Sequence, residues 1–267
     1  MTISSLTVKA GNGKNDSLDK VSEFTLHMGD VISIVGPTGS GKTTLINDIE
    51  LFANRNTPSG RQVLINGELP PEELMHAPAK NPIALITQHT NFLSDLAVQR
   101  FLTMHARIRQ AGTAQKVIDA TLDFANQLTG EPIEPTVGMT ELSGGQTRAL
   151  LIADAVIIGN SPIILLDEIE NAGIHRTRAL ELLRKYEKIF IFVTHDPRIA
   201  LLSDYRVVMK NGAMQEVITT HDEEVRVAVE ISKLDDIILH FRKLIRNGER
   251  LTEHMIAERL TALGYTA

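Results

Sequence analysis

The stretch Gly36-Pro37-Thr38-Gly39-Ser40-Gly41-Lys42-Thr43-Thr44 follows directly on the apolar run Val31-Ile32-Ser33-Ile34-Val35. Backbone N–H groups can surround a highly charged polyphosphate only where side chains are absent, as they are at Gly39 and Gly41. A helix that begins near Lys42 points the positive end of its dipole at the same anion. The Lys42 amine can reach the terminal phosphates, and the Thr43 hydroxyl can ligate a magnesium ion. The pattern predicts a strand, a phosphate-binding turn and a helix, with every residue of the quoted stretch lining a nucleotide site.

The composition narrows the class of protein. A chain of 267 residues is long enough for one or two domains with a buried core. The net charge of −6 and the scarcity of aromatic residues (4%, with no Trp) do not suit a general nucleic-acid binder. The absence of Cys excludes a disulfide framework and a thiolate metal site. No apolar run approaches the length of a membrane span, and the N-terminus lacks an export pattern, so we expect a cytoplasmic protein.

The apolar pattern predicts several units along the chain. Continuous apolar strands at 163–166 and 189–193, separated by a helix, are typical of a parallel sheet covered on both faces. The helical pattern from about 90 to 140 predicts a helical subdomain inserted into this α/β core. The pattern thus predicts an α/β domain over 1–220 and a C-terminal helical extension over 221–267. An apolar stripe in that extension is expected to pack against the core or to form a dimer contact.

Polar residues follow three of the predicted strands. Asp167 and Glu168 come directly after the strand at 163–166, where open α/β sheets place their ligand chemistry. Asp167 is placed to hold magnesium, and Glu168 to accept a proton from an attacking water. His195 follows the next apolar strand and can bond a terminal phosphate, although a single His is more often structural. Gln88 follows the strand at 83–87 and could complete the magnesium shell.

A second anion site is predicted at Ser143-Gly144-Gly145-Gln146, which follows Leu142. Ser143 can cap a helix there, while the bare N–H groups of the glycines face an anion. One nucleotide does not need two such sites from one chain. The economical interpretation is that this site serves the nucleotide of a second molecule, and the alternative is an ordinary helix start.

Taken together, the segments 36–44, 142–146 and 163–168 with Gln88 and His195 resemble the ATP-binding cassette (ABC) ATPase family in order and spacing. The resemblance covers roughly residues 1–220. It implies an α/β fold, with a P-loop NTPase core of mainly parallel sheet, an antiparallel β subdomain, an inserted helical subdomain and the C-terminal helical tail.

The resemblance also implies how the site works. Two chains, either identical or paralogous, would pair head to tail around two ATP molecules with Mg²⁺. Glu168, His195 and Gln88 would act in catalysis, and Thr43, Gln88 and Asp167 would hold the metal. Ser143 and Gly145 of the partner chain would complete each site, so that ATP closes the pair and hydrolysis loosens it.

Three positions depart from the family pattern. Residues 8–15 offer no aromatic side chain to stack on adenine. The loop 169–175 is longer than usual by one residue and ends in His175 where the family usually has Asp. Asp154 stands where the family commonly has Arg.

Three classes of partner are compatible with such a subunit. A separate membrane subunit docking on the helical subdomain, which would hold the chain at the inner face of the membrane, is favoured. A soluble ABC ATPase that drives assembly, activation or remodelling of a cytoplasmic complex is the alternative. A chromosome or repair ATPase is disfavoured, because the interval from Thr44 to Leu142 has no room for a long coiled coil.

Overall fold

Alternating side chains of the central strands enter two different cores. On one face Ile164, Leu166 and Phe190 join the first core, whereas Leu165 and Ile191, which point the other way, join the second. A strand buried on both faces must be apolar at every position, which explains the continuous apolar runs. The computed structural model describes residues 2–76, 81–87, 89–109, 114–168 and 176–265.

Among the described residues the main sheet has six strands in the order β5-β6-β7-β3-β8-β9, all parallel except the antiparallel β9. A second, antiparallel sheet has the order β2-β1-β4. This confirms the predicted fold class. The strands are β1 (Ser5–Lys9), β2 (Glu23–His27), β3 (Val31–Val35), β4 (Gln62–Ile65), β5 (Ile83–Ile86), β6 (Ile163–Asp167), β7 (Ile189–Val193), β8 (Tyr205–Lys210) and β9 (Ala213–Thr219).

The helices occupy both faces of the main sheet. Leu45 and Ile49 of the first helix share the second core with Leu6 and Val63 of the small sheet. The third to seventh helices contribute to the first core, on the opposite face. The described helices are α1 (Lys42–Glu50), α2 (Glu72–His76), α3 (Val98–Ile108), α4 (Ala114–Leu128), α5 (Gly144–Val156), α6 (Arg176–Leu183), α7 (Pro197–Leu202), α8 (Asp222–Arg246) and α9 (Glu253–Ala262).

The C-terminal tail forms two helices that touch each other. The Tyr265 hydroxyl donates to Glu230 Oε2 (2.8 Å), so the end of the chain returns to α8. Of the two alternatives for the apolar stripe of α8, packing against the core is met only in part, and a dimer contact stays a prediction. Only Ala228 of α8 is buried, whereas Ile238 is 47% and Ile245 is 59% exposed. None of the described helices is both long enough and apolar enough for a transmembrane segment.

Candidate functional site

The turn between β3 and α1 packs against the end of β8 and the turn after it too closely for side chains at Gly36 and Gly41. Gly41 has φ +97°, and a Cβ there would lie 2.7 Å from the Cα of Gly212. Gly36 is as tightly placed, since a Cβ would lie 2.4 Å from the carbonyl oxygen of Met209. The Gly212 N–H donates to the Ser40 carbonyl (2.8 Å). The turn between β8 and β9 therefore packs directly against the phosphate-binding turn and holds it in place.

The side chains of this turn suit a phosphate group. Lys42 is 6% exposed, and its Nζ donates to the carbonyls of Gly36 (2.9 Å) and Pro37 (3.2 Å). The Ser40 hydroxyl is buried and has no hydrogen-bond partner within the part of the chain that the structure describes. Thr43 and Thr44, in the first turn of α1, are exposed. The turn thus combines a cation, a buried hydroxyl and accessible hydroxyls where the sequence predicts the nucleotide.

A second lysine reaches the same turn and was missed in the sequence. The Lys14 Nζ, from the loop after β1, donates to the carbonyl of Gly39 (3.0 Å). Its backbone N–H donates to the carbonyl of Asn211 (2.7 Å), which fixes the loop against the turn between β8 and β9. Lys14 lies in the segment that lacks an aromatic residue, so that segment brings a positive charge to the turn. A lysine in a polar loop carries no sequence signal, because the contact joins distant parts of the chain.

A buried network of ion pairs joins the elements that pack beside the phosphate-binding turn. The Arg61 guanidinium is fully buried and makes two bonds of 2.9 Å to the Asp19 carboxylate. It also bonds Asp48 of α1 (3.2 Å) and the carbonyl of Gly212 (2.8 Å). One arginine therefore joins the first hairpin, α1 and the turn that touches Gly41. The sequence signal was a charged residue beside an apolar strand, together with an Asp on the apolar face of α1.

Glu168 and His195, which are predicted for catalysis, lie with Asp167 at one edge of the sheet. Asp167 is the last residue of β6 and is paired with Val193 of β7, which in turn pairs with Ile34 of β3. The order β6-β7-β3 therefore brings Asp167, Glu168 and His195 to the edge where the phosphate-binding turn begins.

Glu168 has an unusual backbone conformation for a residue with a side chain. Its φ is +50°, and its N–H donates to the carbonyl of Val193 (3.0 Å). Such left-handed conformations cost free energy, and they cluster at functional sites. The Glu168 Oε1 lies 3.8 Å from the His195 Nε2, and both side chains are partly exposed. The geometry places a carboxylate and an imidazole side by side with access to solvent.

Ser143 caps α5 as the sequence predicts. Its hydroxyl accepts from the Gln146 N–H (3.3 Å), while its own N–H donates to the Gln146 side chain (2.9 Å). Ser143 and Gly144 are exposed, and Gly145 is partly exposed. This exposure leaves the start of α5 open to a second molecule.

Two predicted features lie outside the described residues: Gln88 and the loop 169–175. The third departure from the family pattern is described. The Asp154 carboxylate lies 2.7 Å from the His105 Nδ1, so it links α5 to α3. Its role in the structure is therefore a contact within the helical subdomain.

Comparison with known proteins gives consistent results. The ABC transporter family matches residues 19–171. An uncharacterised ABC transporter ATP-binding protein of Methanocaldococcus jannaschii is 46% identical over 257 residues, which cover 96% of this chain and 98% of the relative.

Two solved structures share the fold. One is a dimeric ATP-binding cassette in a post-hydrolysis state with ADP and Pi, with a TM-score of 0.60, 22% identity and coverage of 81% of this chain and 99% of that chain. The other is CbiO1 of Clostridium perfringens, part of an ABC transporter complex, with a TM-score of 0.61, 22% identity and coverage of 91% and 98%. At these identities the likeness concerns the fold alone.

Proposed function

The chain belongs to the ABC transporter family, as an ATP-hydrolysing subunit of an ABC transport system, and from this premise we propose how its residues do the work. ATP binds with its phosphates in the segment from Gly36 to Thr44. Residues 1–220 form the ATPase unit, and residues 221–267 form an extension of it. The edge that joins the turn after β3 to Glu168 and His195 is the observation that carries this proposal.

In this proposal the phosphates are bound by the positive charge of Lys42 and by backbone N–H groups of the turn. Lys42 is already held at the turn by two carbonyls, so little side-chain entropy remains to be lost when its amine turns to a phosphate. The buried Ser40 hydroxyl offers a donor, and the N-terminus of α1 contributes its dipole.

Magnesium fits the donors at this edge. Thr43 and Asp167, together with Gln88, would hold the ion through oxygen atoms, which Mg²⁺ prefers. The ion supplies positive charge that offsets the charge of the phosphate oxygens. Glu168 accepts the proton of the attacking water, and His195 donates a hydrogen bond to the terminal phosphate.

A second chain completes each site in this proposal. The exposed start of α5, with Ser143, Gly144, Gly145 and Gln146, faces the nucleotide of the partner chain, which is a second copy or a paralogous subunit. The N–H groups of a helix start are suited to the terminal phosphate of an ATP held by another molecule. ATP thereby holds the two chains together, and hydrolysis releases them.

A membrane subunit docks on the helical subdomain. Leu93 is completely exposed, Ile108 is 70% exposed and Met104 is 48% exposed. Large apolar side chains at such exposure are suited to contact with another protein. The pairing of these residues with a separate membrane subunit places the chain at the membrane through its partner.

The decisive experiment compares Glu168→Gln with Lys42→Ala. Glu168→Gln should bind ATP, lose turnover and accumulate an ATP-bound dimer, because the isosteric amide cannot accept the proton. Lys42→Ala should fail to bind ATP, because the charge matched to the phosphates is gone. Sedimentation with saturating magnesium-ATP measures the dimer, and phosphate release measures turnover. A Glu168→Gln protein that hydrolyses ATP at the parental rate would contradict the assigned base.

A further inference from the structure

The C-terminal tail is joined to the catalytic edge by one buried arginine. Only Asp196 separates His195 from α7. Arg198 lies in the first turn of that helix and is 7% exposed. The Arg198 Nη2 lies 2.8 Å from the Asp196 carboxylate and 2.8 Å from the Asp235 carboxylate. Asp235 lies in the middle of α8, so this guanidinium connects the tail to the segment that carries His195.

The residues on both sides of His195 are fixed. Thr194 is buried, and its N–H donates to the carbonyl of Ile34 in β3 (3.3 Å). Asp196 is buried as well, and its N–H donates to the Thr194 hydroxyl (2.9 Å). The Asp196 carboxylate caps α7 by accepting from the Arg198 N–H (2.8 Å). The position of His195 therefore depends on where Asp196 is held, and Arg198 is one of the groups that hold Asp196.

The two carboxylates keep the guanidinium in place. Burial by itself lowers the pKa of Arg198, but the hydrogen bond and charge of Asp196, with the charges of Asp235 and Asp236, outweigh burial and raise that pKa. Asp196 precedes α7 and moves with it, whereas Asp235 belongs to a separate helix. Asp235 therefore ties Arg198 to a second element, in addition to the packing of Ile199 of α7 in the first core.

We propose that Asp235 of α8 is a positioning residue for catalysis, which acts through Arg198 and Asp196 on His195. The extension over 221–267 is then a working part of the ATPase site. This inference rests on the proposed function, because it assigns to the tail the placement of a side chain that contacts the terminal phosphate.

The test measures kcat and KM for ATP in Asp235→Asn, which keeps the size of the side chain and removes its charge. We expect kcat to fall about tenfold and KM to stay unchanged. A small misplacement of a catalytic group slows the chemical step strongly. Asp235→Glu, which keeps the charge, should recover most of the rate. Glu223→Gln, at an exposed carboxylate in the first turn of the same helix, is the matched control and should turn over like the parent.

A second measurement separates positioning from stability. In a Glu168→Gln background, the Asp235→Asn variant should form the ATP-bound dimer at the same ATP concentration as the variant with Asp235 intact. ATP binding does not depend on His195 alone. All assays are run well below the unfolding midpoint of each variant. A dimer that needs much more ATP would mean that the tail supports the whole fold, and the inference would be overturned.

The rates of Glu168→Gln and Asp235→Asn together distinguish the role of the tail from that of the ATP site. If Glu168→Gln abolishes hydrolysis and Asp235→Asn turns over like the parent, only the role of the tail is wrong. If the parental hydrolysis survives in Glu168→Gln, the proposed site is wrong and the role of Asp235 is wrong with it.

Discussion

Lys14 brings a positive charge to the phosphate-binding turn from the segment that lacks an aromatic residue. Its amine donates to the carbonyl of Gly39, beside the predicted phosphates. A charged amine attracts the phosphates, which all nucleoside triphosphates share, and it does not distinguish one base from another. At the residue scale, this contact suggests that affinity depends on the phosphates more than on the identity of the base.

Lys14→Ala should therefore weaken binding of ATP and GTP by the same factor, about three- to tenfold at low salt. Lys20→Ala is the matched control, since Lys20 is an exposed lysine near the same loop. Calorimetric titration with each nucleotide checks both variants. A loss confined to ATP would show that Lys14 contacts the base, and an unchanged Kd would remove it from the site.

The positions of individual residues in the turn and at the sheet edge could be predicted where the pattern is local in sequence. Lys42 follows its glycines directly, and Asp167 and His195 each end or follow an apolar strand, so a pattern and a sheet edge were enough. Lys14 and Arg61 could not be predicted in this way. Their contacts join parts of the chain that are distant in sequence, and only the folded topology brings these parts together.

At the scale of elements, Arg61 links the first hairpin, α1 and the turn between β8 and β9. Asp19 and Asp48 are as buried as the guanidinium that they share. Removing one partner of a buried ion network leaves uncompensated charges, which costs far more than loss of an exposed pair. This network therefore holds the elements under the phosphate-binding turn at fixed positions.

Arg61→Met should lower the free energy of unfolding by about 3–5 kcal/mol, because both carboxylates stay buried without their cation. Arg184→Met is the control: Arg184 pairs with Asp204, but both side chains are more than a third exposed. The control should lose less than about 1 kcal/mol. Urea denaturation of both variants decides the matter, and similar losses would mean that the network carries no special stability.

Long elements were predicted better than short ones. The apolar strands and the helices α1, α4 and α5 have enough residues for a period to show. The helix α7 has a single turn and a half, begins at Pro197 and was not predicted, although Asp196 gives it a cap. The stripe of α8 has a helical period, but the period does not say what covers the helix, and its side chains are half-buried or exposed.

At the scale of the whole molecule, Lys188 makes stability depend on pH. Its amine is buried, with the Asn160 side chain (2.7 Å) and the Ser161 carbonyl (3.0 Å) as neutral partners. Burial lowers the pKa of Lys188 from 10.5 to about 8. Between these two values the unfolded chain binds a proton that the folded chain does not, so stability rises with pH in this window.

Lys188→Met removes this dependence. The free energy of unfolding of the parent minus that of the variant should be constant below pH 8 and should then rise by about 2–3 kcal/mol towards pH 10.5. Other titrating groups cancel in this difference. Exposed Lys185, changed to Met, is the control. Chemical denaturation across the pH range gives the values, and a difference that falls with pH would show that the charged amine is favoured in the fold.

The assembly itself gives the last prediction, because head-to-tail pairing builds each site from two chains. Lys42→Ala disables the phosphate-binding turn of its own chain, and Ser143→Arg blocks the helix start that serves the partner. Each variant alone should be inactive. In a mixed dimer, however, the intact turn of the Ser143→Arg chain meets the intact helix start of the Lys42→Ala chain. An equimolar mixture should therefore regain about a quarter of the parental sites, since half of the dimers are mixed and each has one whole site.

Phosphate release from the mixture, compared with each variant alone, measures this recovery. A mixture as inactive as its components would place both segments in the site of a single chain and would end the shared-site proposal.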